Sequence, residues 1–359
     1  MSGGYFKTGT VFPGDFGYEK VSTGLTINHR NNDERFSAQL SVNYGVDINN
    51  QFNSSGFVGS ALLLPPNAPA LYNDDGRLNW ENSTWTNPLA VTLNTSNAST
   101  QQLISSMGLS YEIIKGLILK TNAGYTMLDN DELVKNPVEA YNPTIWNFAQ
   151  ARTSHSFTNR NSWIIEPQLA YRSQFKVFKL DALLGTTFQE SQSKNLRMNG
   201  VGYINGALTG NLASAGAVYV SDNREILYKY NAVFGRLGFN FSDRYLLNLT
   251  GRRDGSSRFG PNNRFANFGA IGAAWIFTEE DLIKNNVSWL SFGKIRGSYG
   301  LTGSDQIQDY GYFDTYSPTP APGGLYPTQL VNPDYSWETN KKLESAMELG
   351  LFYLNLFLQ

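Results

Sequence analysis

The segment that decides the fold is residues 36–49, which read FSAQLSVNYGVDIN. Apolar or aromatic side chains occupy every even position from Phe36 to Ile48, and small or polar side chains occupy the odd positions. Because side chains alternate between the two faces of a β-strand, this pattern predicts a strand with one apolar and one polar face. Soluble strands average about 5 to 6 residues and tilted membrane strands need about 9 to 11, so the length favours a membrane strand.

The same alternation recurs along most of the chain. Residues 103–113 and 117–125 show it on either side of Ile114-Lys115-Gly116, which is short enough for a tight turn between antiparallel strands. Further segments with this pattern are residues 1–7, 18–29, 163–171, 178–189, 225–242, 244–254, 264–278, 289–302 and 343–354. Together the segments predict an all-β, antiparallel fold of about 12 strands.

The connections between the segments alternate in length. Outer-membrane barrels have short periplasmic turns and long extracellular loops, and only a closed barrel satisfies the backbone hydrogen bonds of strands in lipid. We therefore predict an antiparallel transmembrane β-barrel with its apolar face toward lipid; a soluble β-sandwich, which would bury that face, is the alternative. The short links are residues 30–33, 114–116, 172–176 and 242–244, and the long polar stretches are residues 50–102, 129–160, 191–224 and 303–340.

One short helix is expected between the strands. Residues 278–284 read TEEDLIK, with acidic residues where a helix begins. Thr278 is the predicted N-cap, because a threonine hydroxyl can accept from the first free backbone N–H groups and acids favour the positive end of a helix. The alternation of connections places this helix at the periplasmic end.

Composition narrows the classes of function. The chain has 359 residues, with 28 Lys plus Arg against 30 Asp plus Glu and a net charge of −2, which provides no basic surface for nucleic acid. It has no cysteine and two histidines, His29 and His155, so disulfides, thiolate metal sites and histidine-based triads are not expected. No secretory signal follows Met1, and no run of about 18 to 20 apolar residues predicts a spanning helix. We expect no metal and no cofactor.

Several longer motifs lie in sequence order along the chain. Residues 69–76 read PALYNDDG and are followed by Asn87-Pro88-Leu89. Residues 251–265 read GRRDGSSRFGPNNRF, and residues 270–275 end in Trp275. Residues 294–303 read KIRGSYGLTG, and residues 332–339 read NPDYSWET. In this order the motifs resemble the SusC/RagA family of TonB-dependent outer-membrane transporters of Bacteroidetes.

The resemblance implies that the chain is one part of a larger architecture. The family has a 22-stranded barrel with an N-terminal plug. Residues 1–359 are therefore expected to be part of a TonB-dependent receptor β-barrel domain, with about 12 of those strands and with the plug and the C-terminal strands absent. Residues 351–359 depart from the family pattern, which would turn and continue, and this departure indicates truncation, a frameshift or a gene fragment.

The resemblance also implies a function and partners. Family members import oligosaccharides, and some import peptides, across the cell outer membrane. A SusD-like surface lipoprotein is expected as a lid over the extracellular mouth. The TonB complex is expected to drive import through a plug region, and outer-membrane lipid is expected to surround the wall.

The charged and aromatic motif residues are consistent with two different roles. In the first, they stabilise the barrel wall and its loop by pairing with one another, since a paired guanidinium has its donors occupied. In the second, the arginines form a cationic site that faces the substrate. Lys294 and Arg296 share one strand face, expected to be the lumen, because a charge at the lipid midplane costs about 2 to 4 kcal/mol. The motif residues that we assign to the wall are Arg252, Asp254, Arg258, Arg264, Trp275, Arg296 and Trp337.

Aromatic residues in the predicted extracellular loops are the candidate substrate-binding residues. An aromatic ring can stack on the apolar C–H face of a sugar while Asn and Asp side chains bind its hydroxyls. Alternatively, these rings pack the loops or contact a partner lid, where aromatics are also enriched. The candidates are Trp80, Trp85, Tyr141, Trp146 and Tyr316, with Tyr203 and Tyr326 in similar stretches. The acidic runs at residues 73–75 and 129–132 suit either Ca²⁺ binding or turns.

Catalysis has little support in the sequence. No Gly-x-Ser-x-Gly motif with a histidine partner occurs, and Glu279-Glu280 lies at the predicted helix start. We therefore expect no enzyme activity and no catalytic residue. Besides the transporter, two other functions remain open: a soluble or surface-attached β-rich glycan-binding protein, and a β-rich glycoside hydrolase with paired carboxylates.

Overall fold

The computed structural model describes residues 1–52, 56–204, 206–319, 323–351 and 354–358. In these ranges, thirteen strands form one antiparallel sheet, in which each strand pairs with the next one along the chain apart from a separate hairpin between β11 and β14. The sheet strands are β1 (Ser2–Gly9), β2 (Gly17–Arg30), β3 (Phe36–Phe52), β4 (Thr95–Ile114), β5 (Leu117–Asn136), β6 (Arg152–Phe175), β7 (Phe178–Val201), β8 (Ala217–Phe241), β9 (Tyr245–Ser256), β10 (Phe265–Trp275), β11 (Leu290–Ser304), β14 (Glu338–Leu351) and β15 (Leu354–Leu358). The hairpin consists of β12 (Thr315–Pro318) and β13 (Leu325–Gln329). The predicted all-β antiparallel class is confirmed.

The pairing register aligns the apolar positions of neighbouring strands. Leu237 of β8 lies opposite Leu249 of β9, Leu249 lies opposite Ile271 of β10, and Ile271 lies opposite Tyr299 of β11. These residues define what we call the outward face, and the opposite, mostly polar face is the inward face. Leu184 and Ile271 on the outward face are 58% and 49% exposed. A sandwich core would bury these side chains, whereas lipid solvates them.

Aromatic side chains form two belts on the outward face. Tyr171 and Trp163 lie eight residues apart on β6, and Phe178 and Phe188 lie ten residues apart on β7. At about 3.3 Å per residue and a strand tilt near 40°, these separations correspond to roughly 20 to 25 Å along the barrel axis. This matches the height of the apolar band of an outer-membrane barrel, which aromatic girdles flank at both interfaces. No helix among the described residues is long and apolar enough to cross a membrane.

The short links all lie at one end of the sheet, called the turn end, and the long connections lie at the other, called the loop end. Several predicted loops are too long, because β5 continues to Asn136 and β7 to Val201, and β8 already begins at Ala217. The extensions of β5 and β7 are mostly polar, whereas β8 begins with the apolar run of residues 217–220. Cross-strand side-chain bonds hold the extensions, such as the one from Asn195 Nδ2 to Asp222 Oδ2 at 2.9 Å. Neither a mostly polar segment nor a short continuous apolar run shows the alternation on which the strand prediction depends.

Three further expectations need correction. The predicted loop 303–340 contains the β12–β13 hairpin, whose short strands have no long alternation. Thr278 is not an N-cap: it is buried, and its hydroxyl bonds both backbone groups of Gly293, while the helix α2 begins only at Asp281 and runs to Lys284. The strand predicted to reach residue 354 ends at Leu351, and β15 pairs back on β14. Of the unusual segment 351–359, residues 352, 353 and 359 lie outside the described residues.

The small buried core lies at the loop end. Phe52 at the end of β3, Phe57 of the helix α1 (Phe57–Leu63) and Leu89 form a buried cluster against which Phe12 and Phe16 pack. The rings of Phe52 and Phe57 meet edge to face with centroids 5.5 Å apart. This core fixes the connection between β3 and β4 to the wall.

Candidate functional site

A pocket of about 630 Å³ opens at the loop end of the sheet. It lies between the β3–β4 connection and the β5–β6 connection, and its volume is within the usual range of small-molecule sites, about 300 to 1,000 Å³. Its aromatic and charged lining consists of Tyr72, Trp80 and Trp146 together with Asp75, Arg77, Glu81 and Glu139. We call it the loop pocket.

A tight turn in the acidic run forms one wall of the loop pocket. The Asn73 N–H donates to the Arg77 carbonyl at 2.8 Å, and Tyr72 and Leu78 form a β-bridge across the turn. Gly76 adopts a φ of 79°, which glycine accommodates without strain. The run at residues 73–75 therefore forms a turn, and no group of three or more His, Cys, Asp or Glu side chains suited to a metal occurs in the described part of the chain.

Asn87 holds the β3–β4 connection together from inside. Only 1% exposed, it donates from Nδ2 to the carbonyls of Leu71 at 2.7 Å and Asn79 at 2.9 Å. Its Oδ1 accepts from the Leu89 N–H at 2.9 Å, which caps the 3₁₀ turn that follows. One amide thus bonds three backbone groups and holds together the β3–β4 side of the pocket. The Asn-Pro-Leu motif marked this position in the sequence but did not indicate the bonds.

Two of the predicted aromatic residues meet in the loop pocket. Trp80 is 8% exposed and Trp146 is 39% exposed, so the first supports the wall and the second is open to a ligand. The Trp146 indole N–H donates to the carbonyl of Tyr141 at 2.8 Å. Ser83 Oγ donates to Asn142 Oδ1 at 2.9 Å and joins the two connections.

A strained segment follows Trp80. Glu81, Asn82 and Ser83 have φ angles of 42°, 52° and 74°, in the left-handed region that non-glycine residues rarely adopt. Each such residue costs on the order of 1 to 3 kcal/mol and persists only where its surroundings hold it, and such residues cluster at ligand sites. Glu81, the first residue of this segment, lines the pocket.

The remaining predicted aromatic residues lie elsewhere. Trp85 does not line the loop pocket, and its buried indole nitrogen has no hydrogen-bond partner among the described residues. Tyr316 lies on β12, and its hydroxyl donates to Asp314 Oδ2 at 2.9 Å, which raises the pKa of the Tyr316 phenol. Tyr203 shares a hydrogen bond with Thr153 at 2.6 Å, and Tyr326 lies exposed on β13.

Sequence reasoning did not single out the polar lining of the pocket. Arg77, Glu81 and Glu139 lie in stretches that were predicted only as loops. Nothing in their local sequence separates them from other charged loop residues. They come together because two connections far apart in sequence fold over the same end of the sheet.

The central motif forms two pairs on the inward side of the loop end. Arg252 donates through Nε to Asp254 and through a terminal nitrogen to the Tyr230 hydroxyl. Arg258 donates to Asp309 Oδ1 at 2.9 Å and to the Asp305 carbonyl at 2.7 Å. Their guanidinium groups are therefore occupied within the wall and its loop. The acidic partners of Arg258 come from the β11–β12 connection, about 50 residues away, so sequence spacing could not reveal them.

Two motifs that are separated in sequence pack on each other. Phe259, with no exposed surface, stacks on Trp337 with ring centroids 4.8 Å apart, and Phe268 meets the same indole at 5.5 Å. The Trp337 indole N–H donates to the Asn263 carbonyl at 3.1 Å. We call this contact the loop anchor, because it holds residues before β14 against the β9–β10 turn.

The last motif residues occupy different places. Trp275 lies on the outward face at the turn end, and its indole donates to Glu280 Oε1 at 3.1 Å. Arg296 lies on the inward face and donates to Glu348 Oε1 at 2.9 Å, and Lys294 Nζ is 3.6 Å from the same carboxylate. Arg264 is exposed beside the loop anchor, and its carbonyl accepts from the Ser256 N–H at 3.1 Å.

Comparison with known proteins identifies the class. No protein-family model matches the chain. TonB-dependent receptor P26 of Formosa agariphila is 28% identical over 353 residues, covering 91% of this chain and 34% of that protein. TonB-dependent receptor SusC of Bacteroides thetaiotaomicron is 32% identical over 133 residues, covering 33% of this chain and 13% of that protein. The structure of the RagAB peptide transporter superposes with a TM-score of 0.74 at 22% identity, covering 97% of this chain and 40% of that chain.

The sheet order, the apolar outward face and these similarities indicate that the chain has the fold of part of an outer-membrane β-barrel, of the kind that TonB-dependent receptors contain. Within that class the chain is similar in sequence to SusC and similar in fold to the RagAB transporter structure. It spans about a third of the length of the full-length curated relatives it matches. Its location is the cell outer membrane, and the curated proteins that it matches are named as receptors, so the similarities favour neither the soluble glycan-binding alternative nor the glycoside hydrolase alternative. The turn end is thereby periplasmic and the loop end extracellular.

Proposed function

We propose that the chain forms part of the wall and extracellular mouth of a transporter that imports oligosaccharides, or peptides, across the outer membrane. The observation that carries the proposal is the loop pocket, which lies at the extracellular end of a wall whose outward face is apolar. The match to a structure of a peptide transporter supports the general function.

The chemistry of the loop pocket favours an oligosaccharide over a peptide. Trp146 offers an accessible indole face, and carboxylates at Asp75 and Glu81 provide acceptors for hydroxyl groups. Asn79 adds an amide to the same lining. This combination of a flat apolar surface with many short polar groups suits a sugar ring, which has apolar C–H faces and hydroxyls at its edge.

Replacing Trp146 tests this assignment. We expect Trp146→Ala in the complete receptor to weaken binding of the imported oligosaccharide by about tenfold or more, because stacking area and about 1.4 kcal/mol are lost. Phe148→Ala is the matched control, since Phe148 lies in the same connection, is 84% exposed and does not line the pocket. Calorimetric titration with oligosaccharide and oligopeptide pools measures both variants. Equal affinity of Trp146→Ala and the wild type for every pool contradicts the assignment.

We further propose a SusD-like surface lipoprotein as lid and the TonB complex as energy source acting through a plug elsewhere in the receptor. Exposed apolar side chains at the loop end support a lid: Leu62, Leu63 and Leu330 are 78%, 83% and 77% exposed. We expect Leu62→Ser with Leu63→Ser to reduce co-purification of a SusD-like lipoprotein that is co-expressed with the complete receptor. Exposed Leu282, at the periplasmic end, provides the control as Leu282→Ser. Unchanged co-purification excludes this contact.

A further inference from the structure

The outward face carries a groove that transport does not require. It has a volume of about 540 Å³ and crosses strands β6 to β9, a width of about 14 Å at the usual strand spacing. Two rows of paired residues line it. One row is Tyr171, Ala182, Leu237 and Leu249, and the other is Leu169, Leu184, Gly235 and Gly251.

Small residues make the floor of this groove. Gly235 and Gly251 pair with each other, and Ala182 lies in the neighbouring row. A Cβ atom added at Gly251 would meet no heavy atom within 4 Å, so the space above the backbone is open. The leucines of β7 and β8 stand on either side of it. The result is an apolar channel on a wall that lipid surrounds.

Arg253 lies at the extracellular end of the groove. It is the next outward residue after Gly251 on β9, about 6.6 Å further along the strand. Its guanidinium donates to Asn267 Oδ1 at 3.1 Å and lies 5.2 Å from the centroid of the Phe265 ring. Among the described residues, no carboxylate lies within 4 Å of it. A guanidinium has five N–H donors, so most of its donors remain available.

Other cations at this level of the wall are compensated. Arg252, which the period of two directs to the inward face, pairs with Asp254. Lys229 on β8 pairs with Glu190 Oε2 at 3.1 Å. Arg253 lies eight residues from Tyr245 of the periplasmic aromatic belt, so it is at the extracellular interface, where an outward arginine costs only about 0 to 1 kcal/mol. An exposed guanidinium at an interface is suited to bind a phosphate in a bidentate manner.

We propose that this groove is a binding site for a phosphorylated lipid of the outer leaflet, with its phosphate on Arg253 and an acyl chain along the glycine floor. The charge of Arg253 selects an anionic headgroup, and the apolar groove selects the chain. Arg253 and the end of the groove at Gly251 lie two residues apart on β9, so one lipid molecule can contact both. The proposal is independent of the transported substrate.

The test uses the complete receptor in detergent, titrated with lipid A, a bisphosphorylated acylated disaccharide. We expect Arg253→Gln to weaken lipid A binding about tenfold, since a charge-assisted contact is lost. Gly251→Leu should weaken binding as well by filling the groove, and it leaves Arg253 in place. The matched control is Gly297→Leu, at an outward glycine of β11 outside the groove, whose added Cβ would meet only ordinary contacts.

Heat-modifiable migration on a gel establishes that each variant is folded. Wild-type affinity for lipid A in folded Arg253→Gln and Gly251→Leu overturns the proposal. Equal affinity of the wild type for inorganic phosphate and for lipid A also overturns it, because the acyl groove would then contribute nothing. Loss of binding in Gly297→Leu to the same extent would show a general effect of the outward face and would likewise reject a defined site.

Discussion

At the scale of single residues, one buried amide carries much of the candidate site. Asn87 bonds three backbone groups of the β3–β4 connection, and two of them, the Asn79 carbonyl and the Leu89 N–H, have no other hydrogen bond among the described residues. A buried carbonyl or N–H left without a partner costs about 1 to 3 kcal/mol. The geometry of the loop pocket therefore depends on a residue that does not itself line it.

Substituting Asn87, which does not line the loop pocket, tests whether its hydrogen bonds stabilise the β3–β4 connection. We expect Asn87→Ala to increase amide hydrogen exchange across residues 71–93 and to lower the stability of this connection by about 1 to 3 kcal/mol. Asn262→Ala, at an exposed position of the β9–β10 turn, should leave exchange in that region unchanged. Equal exchange in Asn87→Ala and the wild type would show that the three bonds do not hold the pocket walls.

At the scale of elements, the periplasmic β10–β11 connection is held by a charged cluster. Glu280 accepts from the Tyr245 hydroxyl at 2.6 Å and from the Trp275 indole at 3.1 Å, and Arg244 lies 3.3 Å from its other oxygen. These donors, the Tyr245 hydroxyl foremost, lower the pKa of the Glu280 carboxyl from its usual value. The cluster ties the start of α2 to β9 and β10.

The lowered pKa predicts a pH dependence of stability. The contribution of Glu280 is fully present above the pKa it has in the unfolded chain, about 4.3, and is lost as the pH falls through the lower pKa of the folded state. We therefore expect the stability difference between wild type and Glu280→Gln to shrink below about pH 4. Denaturant unfolding at several pH values measures it. Glu279→Gln, which affects only an exposed pair with Lys284, is the control, and a difference that stays constant down to acid pH argues against the cluster.

At the scale of elements, the observed strands also differ in how far they extend beyond the lengths predicted from the sequence. Within the membrane, alternation predicts β2, β3 and β9 to β11 to within a few residues. Beyond it, β5, β6 and β7 continue by more than ten residues and β8 by eight, with mostly polar side chains apart from the apolar residues 217–220 of β8. Such extensions form because the neighbouring strand supplies the backbone partners, and that partner is not encoded in the local pattern.

At the scale of the whole molecule, the two faces of the wall are in different environments: the outward face contacts lipid and the inward face contacts water. Leu249 lies on the outward face, four residues from both Tyr245 and Arg253, so it is near the lipid midplane. Asn248 is its neighbour on the inward face. A cation at the midplane costs about 2 to 4 kcal/mol, whereas one in a wet lumen is tolerated.

Lysine substitutions at these neighbours test the orientation of the wall. We expect Leu249→Lys to destabilise the folded receptor in lipid vesicles by about 2 to 4 kcal/mol, and Asn248→Lys to have a small effect. Reversible denaturant unfolding in vesicles measures both. Equal costs for the two variants would contradict the assignment of the outward face to lipid.

The chain by itself determined the fold class, the outward face and the alternation of short and long connections, because a period of two acts residue by residue along each strand. It also marked motif residues such as Arg252 and, separately, the loop aromatics Trp80 and Trp146 as candidate binding residues. Only the tertiary structure decided that Trp80 and Trp146 share a pocket while Trp85 and Tyr316 do not, and that Arg258 pairs with acids about 50 residues away. It also separated Arg252, bound inward to Asp254, from Arg253 at the end of an outward groove. Those relations depend on register and on loops that meet across the sheet, and both arise from pairing between distant segments and not from any local pattern.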